Sequence, residues 1–184
     1  IYELAETGHG TKCLTNIFGK KDLFENPKPV ELIKEILSHS KNKTVLDFYA
    51  GSGTTAQAVM ELNQEDGESR KCILVTNNET SEKLPNGIAL DVTRERLFRV
   101  INGKGSKGEQ IDWKYSDDKL SLTNNAVRVF DIEYHELGLN DFEKAKQLIP
   151  IAEEQLKKLN PNFKAKDRFD IYNELAALNP YKKV

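Results

Sequence analysis

Two glycines, Gly51 and Gly53, follow a short apolar segment and precede a helical pattern. Glycine permits a tight turn and lets a ligand approach the backbone, because no Cβ stands in the way. A helix that begins just after such a turn directs its free N–H groups and positive dipole end toward the same point. Glu79 lies just past a second apolar segment, where a carboxylate accepts hydrogen bonds from ribose hydroxyls in a doubly wound sheet. This arrangement predicts a nucleoside-bearing cofactor over the carboxyl ends of two parallel strands.

The glycine spacing is not that of a complete dinucleotide-binding sequence. Thr54 and Thr55 come directly after Gly53, and no third glycine occupies the last position of the G-x-G-x-x-G pattern. A two-glycine turn also occurs as a purely structural feature. On position alone, Asp47 is open to a second interpretation as a carboxylate that caps the turn, and Glu79 to one as a solvated loop acid.

The elements that position these residues follow from hydrophobic periodicity, which predicts an α/β fold. In chain order, we expect a helix at 27–40, a strand at 44–50, a helix at 54–62, a strand at 71–76 and a helix at 90–101. The second strand is almost continuously apolar, which is typical of a strand covered on both faces in a parallel sheet. We therefore expect Cys72, within it, to be a buried thiol.

The remaining segments have a different character. The start of the chain is rich in glycine with few periodic apolar positions, which favours a loop or linker. Period-two alternation at 111–115 and 127–134 predicts a β-hairpin of two antiparallel strands with one solvated face. Helices are expected at 141–159 and 167–178, and Pro150 either kinks the first or starts a new one. We therefore divide the chain into a linker (1–26), an α/β portion (27–103), antiparallel strands (104–135) and a helical tail (136–184).

Length and charge restrict the function. The chain has 184 residues, the size of one domain with a small appendage, and its first residue is Ile, so we expect it to derive from a longer reading frame or from cleavage. Its 27 Lys and Arg residues against 29 Asp and Glu residues give a formal charge of −2. Small standalone DNA-binding modules usually carry a basic excess, so any nucleic-acid contact surface should lie mostly elsewhere. No apolar run is long enough for a bilayer, and two separated cysteines with three scattered histidines favour a reducing cytoplasm over a structural zinc site.

Residues 47–55, Asp-Phe-Tyr-Ala-Gly-Ser-Gly-Thr-Thr, resemble the S-adenosylmethionine (SAM) binding motif of amino-group DNA methyltransferases. Residues 24–33 resemble the Pro-Lys-Pro helix start that lies just before that motif in the same family. The match continues in the family's order in segments 62–67, 73–79 and 93–96. Together these motifs resemble the modification subunit of type III restriction-modification systems, over roughly residues 8 to 103.

The resemblance implies a role for each matching position. The backbone of Gly51, Ser52 and Gly53 would cradle the methionine part of SAM. Asp47 would hold its amino group, directly or through water, and Glu79 would bind the ribose hydroxyls. These roles extend the cofactor interpretation to particular atoms of one ligand.

The other matching positions would complete the pocket. Lys28 and Pro29 would shape its methionine end from the other side, and Thr54 and Thr55 would offer hydroxyls to the carboxylate. Tyr49 stands where the family usually has Phe, so its added hydroxyl changes the lining there. The cofactor-binding residues implied are Lys28, Pro29, Asp47, Phe48, Tyr49, Ala50, Gly51, Ser52, Gly53, Thr54, Thr55 and Glu79.

The family's catalytic motif, Asp or Asn followed by Pro-Pro-Tyr, does not occur in the sequence. In the family it precedes the cofactor motif and holds the target amine of a base flipped out of the duplex. The nearest run, 179–181, lacks the second proline and follows a helix, so we interpret it as coincidence and expect no catalytic residue in this chain. In the methyltransferase sheet the strand 44–50 pairs with the strand that carries this motif. We therefore expect an open edge that needs the missing half, self-association or the strands of 104–134 to cover it.

The resemblance implies the C-terminal, SAM-binding portion of an enzyme that methylates adenine N6, with part of a Rossmann-like sheet, a β-hairpin and a helical appendage. Alone, the portion would be inactive. The implied partners are double-stranded DNA through the full-length enzyme, the missing N-terminal catalytic and target-recognition part, a second copy in a homodimer and a restriction subunit, with no membrane. The alternatives are a cytosine-N4 methyltransferase, a non-catalytic assembly module for a restriction subunit, and a nicotinamide-binding oxidoreductase. The missing third glycine and the Pro-Lys-Pro segment argue against the last.

Two features allow two interpretations each. Arg94, Arg96 and Arg99 are expected on a solvated helix face with ion pairs to Glu95 and its neighbours, and the alternative is contact with DNA phosphate. The tail from residue 141 would be either a two-helix cap on the sheet domain or a surface for a partner subunit.

Overall fold

The computed structural model describes residues 7–109, 111, 122–132, 142–162 and 164. The chain divides into two compact units between Phe130 and Asp131, and each is described by itself. The first unit contains α1 (Thr7–Phe18), α2 (Val30–Ser38), β1 (Thr44–Asp47), α3 (Thr54–Asp66), β2 (Lys71–Leu74), a π-helix (Ala89–Arg94) and α4 (Glu95–Asn102). The second unit contains α5 (Phe142–Leu159).

β1 and β2 lie side by side and parallel, with Asp47 opposite Leu74. The pairing continues past the strands, because the N–H of Val75 donates to the carbonyl oxygen of Asp47 at 2.8 Å and that of Ala50 donates to Val75 at 3.1 Å. α3 connects the strands, as a parallel pair requires. The predicted α/β class is confirmed, with a sheet of two strands within the described residues. The carboxyl ends of both strands meet at one edge of this sheet.

The core of the first unit lies on one face of the sheet. Cys72 and Leu74 pack there against buried side chains of α1, α3, α4 and a later segment: Ile17, Ala56, Met60, Leu97, Val100 and Leu122. Side chains alternate along a strand, so Leu46 and Ile73 point to the other face, where they are 50% and 52% exposed. The prediction that β2 is covered on both faces is therefore wrong for the part of the chain that the structure describes. Cys72 is half-buried and not fully buried.

The prediction of a loop or linker over residues 1–26 is wrong for Thr7–Phe18, which form α1. Leu14 and Ile17 are buried on its inner side. Gly10 allows a close approach, since a Cβ there would lie 1.9 Å from the carbonyl oxygen of Pro27. α1 therefore rests directly on the backbone that leads into α2, and this glycine serves helix packing and not a turn.

The segments after α4 confirm only part of the prediction. Gly103 ends α4 in the left-handed conformation, with its N–H donating to the carbonyl oxygen of Arg99 at 2.8 Å, as expected for a helix C-cap. The second predicted hairpin strand is wrong for residues 127–132, which are exposed and do not form a strand. The first hairpin strand falls outside the described residues except for Ile111.

The tail confirms one of its two predicted helices. α5 runs through Pro150 as a single helix, so the proline neither ends it nor starts a new one. The helix predicted at 167–178 lies outside the described residues. No helix within the described ranges is both long and apolar enough to cross a membrane.

Candidate functional site

The chain leaves β1 through a tight turn over residues 50–53. The N–H of Gly53 donates to the carbonyl oxygen of Ala50 at 2.7 Å. Gly51 and Gly53 have φ values of 49° and 79°, in the left-handed region that glycine adopts without steric cost. α3 begins at Thr54, directly after the turn, so the unpaired N–H groups of its first turn lie next to the glycine backbone. The predicted strand, glycine turn and helix are confirmed.

The glycine turn is packed from two directions. The hydroxyl of Thr93, in the π-helix, donates to the carbonyl oxygen of Gly51 at 2.7 Å. A Cβ on Gly53 would lie 3.2 Å from Cγ2 of Thr93, and a Cβ on Gly51 would lie 3.1 Å from Cζ of Phe24. The π-helix and the segment before α2 therefore both fix the position of the turn, which needs glycine for space as well as for φ.

Asp47 caps the turn from the end of β1. One carboxylate oxygen accepts the N–H of Tyr49 at 2.9 Å, and the other accepts the hydroxyl of Thr55 at 2.6 Å. These bonds correspond to the structural interpretation of Asp47, that of a carboxylate which caps the turn. A carboxylate has about four acceptor sites, so these two bonds leave capacity for a ligand.

The buried side of the turn is held by Arg96, a role that the sequence reasoning missed. Its side chain is fully buried. Nη1 donates to the carbonyl oxygen of Ser52 at 3.2 Å, to the Ser52 hydroxyl at 3.0 Å and to the Thr54 hydroxyl at 2.8 Å. Nε donates to Oε1 of Gln57 at 2.7 Å, and Gln57 donates in turn to the buried carboxylate of Glu61 at 2.8 Å. Charged hydrogen bonds of this kind are stronger than neutral ones, so Arg96 makes the turn rigid.

The prediction that the three arginines lie on a solvated helix face is wrong for two of them. Arg96 and Arg99 are buried, and only Arg94 is exposed. The predicted ion pair is present, since Nε of Arg99 lies 2.7 Å from the carboxylate of Glu95. The sequence carried a weak signal, because Arg96 lies three residues after Thr93, on the buried side of the helix.

Lys28 and Pro29 lie beside the turn through their backbone. The carbonyl oxygen of Lys28 accepts the Thr54 hydroxyl at 3.3 Å, while the Lys28 side chain is exposed. Pro29 is buried and directly precedes α2. Thr54 is itself buried and shares its hydroxyl with Arg96, so in this structure it holds the turn.

The outer side of the turn is open. Phe48 and Tyr49 are 62% and 91% exposed, whereas Ala50 is buried. The carboxylate of Glu79 is exposed and makes no hydrogen bond or ion pair with another residue of the described ranges. These side chains are therefore accessible to a ligand.

The backbone around Glu79 is fixed by its neighbour Asn78. The Asn78 side chain accepts the N–H of Ala89 at 3.0 Å and donates to the carbonyl oxygen of Asn86 at 2.9 Å. The carbonyl oxygen of Glu79 accepts the N–H of Ile88 at 3.0 Å. The loop after β2 thus presents Glu79 from a defined backbone and joins it to the π-helix that holds the glycine turn.

The only cysteine of the two strands, Cys72, is not an activated thiol. Burial, together with the negative charge of Asp47, raises the pKa of the Cys72 thiol to about 11. Cys72 is therefore a neutral thiol near neutral pH and not an activated nucleophile. The described ranges contain no group of three or more His, Cys, Asp or Glu residues placed to hold a metal ion.

The glycine turn, the parallel strands and the acid after β2 are typical of a nucleoside-cofactor site in an α/β protein. Residues 5–98 match the DNA methylase family, and the chain therefore belongs to that family. It is 43% identical over 105 residues to the Mod subunit of the type III restriction-modification enzyme StyLTI of Salmonella typhimurium, which covers 53% of this chain. It is 40% identical over 103 residues to the EcoPI Mod subunit of Escherichia phage P1, covering 52% of the chain.

A type II relative, the methyltransferase M.KpnI of Klebsiella pneumoniae, is 45% identical over 74 residues, which are 39% of this chain and 18% of the relative. The matches to the two Mod subunits span 16% of the length of each. The predicted resemblance to modification subunits is confirmed. The glycine turn and Arg96 lie within the residues that match the DNA methylase family.

Proposed function

We propose that this chain contributes the SAM-binding portion of a DNA methyltransferase that modifies adenine N6 in a restriction-modification system. The observation that carries the proposal is the turn at Gly51 and Gly53. Its position is fixed by Arg96 and Thr93, and the side chains of Phe48, Tyr49 and Glu79 at the same edge of the sheet are exposed. Membership of the DNA methylase family supports DNA as the substrate. The similarity to Mod subunits supports the restriction-modification context.

The residues at this edge of the sheet fit SAM. The cofactor combines an amino acid with a nucleoside, and so needs a close backbone approach at one end and a ribose acceptor at the other. The backbone of Gly51–Gly53 would hold the methionine part, with the spare acceptor capacity of Asp47 toward its amino group. The exposed carboxylate of Glu79 would accept the ribose hydroxyls, as carboxylates after a second parallel strand do.

The remaining predicted residues would complete the pocket. Lys28 and Pro29 would border the methionine end, with Phe48, Tyr49 and Ala50 on the exit from β1. Because the hydroxyls of Thr54 and Thr55 already have protein partners, we propose that they position the turn more than they contact the carboxylate. Ser52 would contribute its backbone alone, since its hydroxyl is held by Arg96.

When bound, SAM supplies an activated methyl group. This chain's part in the reaction would be to bind and orient the cofactor. The acceptor amine would be held elsewhere, because the sequence contains no Asp- or Asn-Pro-Pro-Tyr motif. We therefore propose that the chain alone does not methylate DNA.

Titration calorimetry of the chain with SAM tests the proposal. Glu79→Ala should remove the binding signal, while Glu82→Ala, an exposed acid in the same loop, should keep it. Gly51→Val should remove it also. Its matched control is Gly67→Val, at a glycine with φ of 71° and open space around it. Melting curves of all four variants separate loss of binding from loss of folding, and unchanged binding in both Glu79→Ala and Gly51→Val would refute the site.

We further propose that β1 and β2 belong to a larger Rossmann-like sheet. Among the described residues β1 pairs with β2 on one edge only, and inner, apolar strands of this kind are prone to mispairing when an edge is open. Leu46 and Ile73 are half-exposed on one face of the sheet, and we expect another part of the larger protein to cover this face too. The remaining mass of a longer modification enzyme, or a second copy of the chain, would supply this cover, and DNA and a restriction subunit are the other proposed partners.

A further inference from the structure

A cleft of about 470 Å³ lies in the same unit as the glycine turn and is lined by other residues. Its walls come from the end of α1 with the segment after it, from the loop before the π-helix, from the π-helix and α4, and from residues 106–109. Phe18, Leu23 and Leu90 contribute apolar surface. None of the predicted cofactor-binding residues lines this cleft, so it is a separate site.

Four cationic side chains at the cleft have no hydrogen-bond or ion-pair partner among the described residues. Lys20, Lys83, Arg94 and Lys107 line it, and their side chains form no hydrogen bond or ion pair with another residue in the described ranges. They come from four different segments of the chain. Their charges therefore converge on one space, although they are scattered in the sequence.

The acids at the cleft are neutralised by other groups. The carboxylate of Asp91 accepts both the N–H and the side-chain amide of Asn86, each at 2.9 Å. Arg99 is buried and binds Glu95 at 2.7 Å and Glu109 at 3.0 Å. By drawing these two carboxylates to itself, Arg99 leaves the four surface cations uncompensated.

Cationic side chains outnumber acidic ones around the cleft. The cleft is lined by five cations, the four surface ones and Arg99, and by three carboxylates, which gives it a formal charge of +2. The whole chain has a formal charge of −2. Positive charge concentrated in the cleft of an otherwise acidic chain attracts a multiply charged anion.

We propose that this cleft binds backbone phosphates of a DNA duplex. Lys and Arg side chains make many of the contacts that proteins form with DNA phosphates, and cations from four segments suit successive phosphates of a strand better than one small anion. The choice of DNA rests on the proposed function and on membership of the DNA methylase family. Through this cleft the chain would bind the phosphate backbone of DNA without contacting the target base.

Fluorescence anisotropy of the 184-residue chain with a labelled duplex tests the proposal, without SAM. The variant Lys83→Gln/Arg94→Gln removes two of the unpaired cations, both exposed. The control Lys41→Gln/Lys71→Gln removes the same charge from exposed positions outside the cleft. The slope of log K against log salt concentration is negative, and the cleft variant should reduce its magnitude by about 1.8, or about 0.9 per lost phosphate contact. The control should leave the slope nearly unchanged.

The outcomes separate the alternatives. Equal loss in both variants would mean that net charge alone drives binding, and would overturn the proposal, as would no duplex binding by the unaltered chain. Tighter binding of a polyglutamate peptide than of the duplex, lost in the cleft variant, would assign the cleft to an acidic protein and overturn it too. Displacement of the duplex by inorganic phosphate at low concentration would show a site for free phosphate and count against DNA. A failed SAM titration would leave all of these readouts intact.

Discussion

The Nη1 atom of Arg96 lies 2.8 Å from the hydroxyl of Thr54, a residue 42 positions earlier in the sequence. This contact joins the π-helix and α4 to the first residue of α3. The glycine turn is held by Arg96 from the buried side and by Thr93, whose hydroxyl donates to the carbonyl oxygen of Gly51. The position of the proposed cofactor site is therefore set by a residue that no ligand would touch.

Replacement of Arg96 should destabilise the whole first unit. Arg96→Met leaves buried oxygens of Ser52, Thr54 and Gln57 without their donor, so we expect the free energy of unfolding to fall by about 3 kcal/mol. Arg94→Met, two residues away and exposed, should change it by less than about 0.5 kcal/mol. Urea denaturation followed by circular dichroism measures both. Similar midpoints for the two variants would show that the buried network contributes little.

The contact between α1 and the Pro27 backbone gives a prediction with a control in the same helix. Gly10→Ala places a methyl group 1.9 Å from the Pro27 carbonyl oxygen, so α1 must move. We expect a loss of about 2 kcal/mol in the free energy of unfolding. Gly8→Ala meets nothing within 4 Å and should stabilise the helix by about 0.5 kcal/mol. Thermal melting of both variants tests this prediction. It fails if the two melting temperatures shift in the same direction.

The ion pair between Glu95 and Arg99 predicts a dependence of stability on pH. Burial raises the pKa of Glu95, but hydrogen bonds from Ser106 and from Arg99 outweigh it, so the pKa lies below its ordinary value of 4.5. A lowered pKa means that the charged form is stabilised by folding. Its contribution is present above pH 4.5 and is lost as the pH falls through the folded-state pKa.

The variant Glu95→Gln isolates this contribution. It should be less stable than the unaltered chain near neutral pH, and the difference should narrow as the pH falls below 4.5. Glu82→Gln, which removes an exposed carboxylate, is the charge-matched control and should track the unaltered chain more closely. Melting temperatures across this range are the measurement. A constant gap between Glu95→Gln and the unaltered chain would contradict the assignment.

The uncovered face of the sheet predicts self-association. Ile73, in β2, is 52% exposed on the uncovered face, and within the described residues β1 pairs along one edge only, so the isolated chain should form concentration-dependent oligomers. Ile73→Thr should reduce them while keeping a β-branched residue in the strand. Ile36→Thr removes an isoleucine that is 59% exposed on α2 and should have little effect. Sedimentation velocity at several concentrations tests this, and a monomeric chain at every concentration would rule it out.

Sequence patterns correctly predict those elements whose structure depends on residues close together in the chain. The apolar run of β1, the glycine turn and the period of α3 were predicted within a few residues, because each depends on neighbours in sequence. The alternation at 127–132 failed as a strand signal, since a strand also needs a partner and alternation alone does not supply one. The glycine-rich start of the chain predicted a loop for a related reason. A glycine such as Gly10 either permits a turn or permits close helix packing, and its sequence context does not distinguish the two.

The sequence by itself determined that strand, turn and helix follow one another, and that two glycines and a later acid accompany them. It also carried the motifs that place the chain in the DNA methylase family. Only the tertiary structure decided that Arg96 is buried under the turn and that Arg94 lies at one cleft with three lysines that have no partner among the described residues. The reason is physical. The burial and pairing of a charge depend on which distant segments the fold brings to it, and those partners lie tens of residues away along the chain.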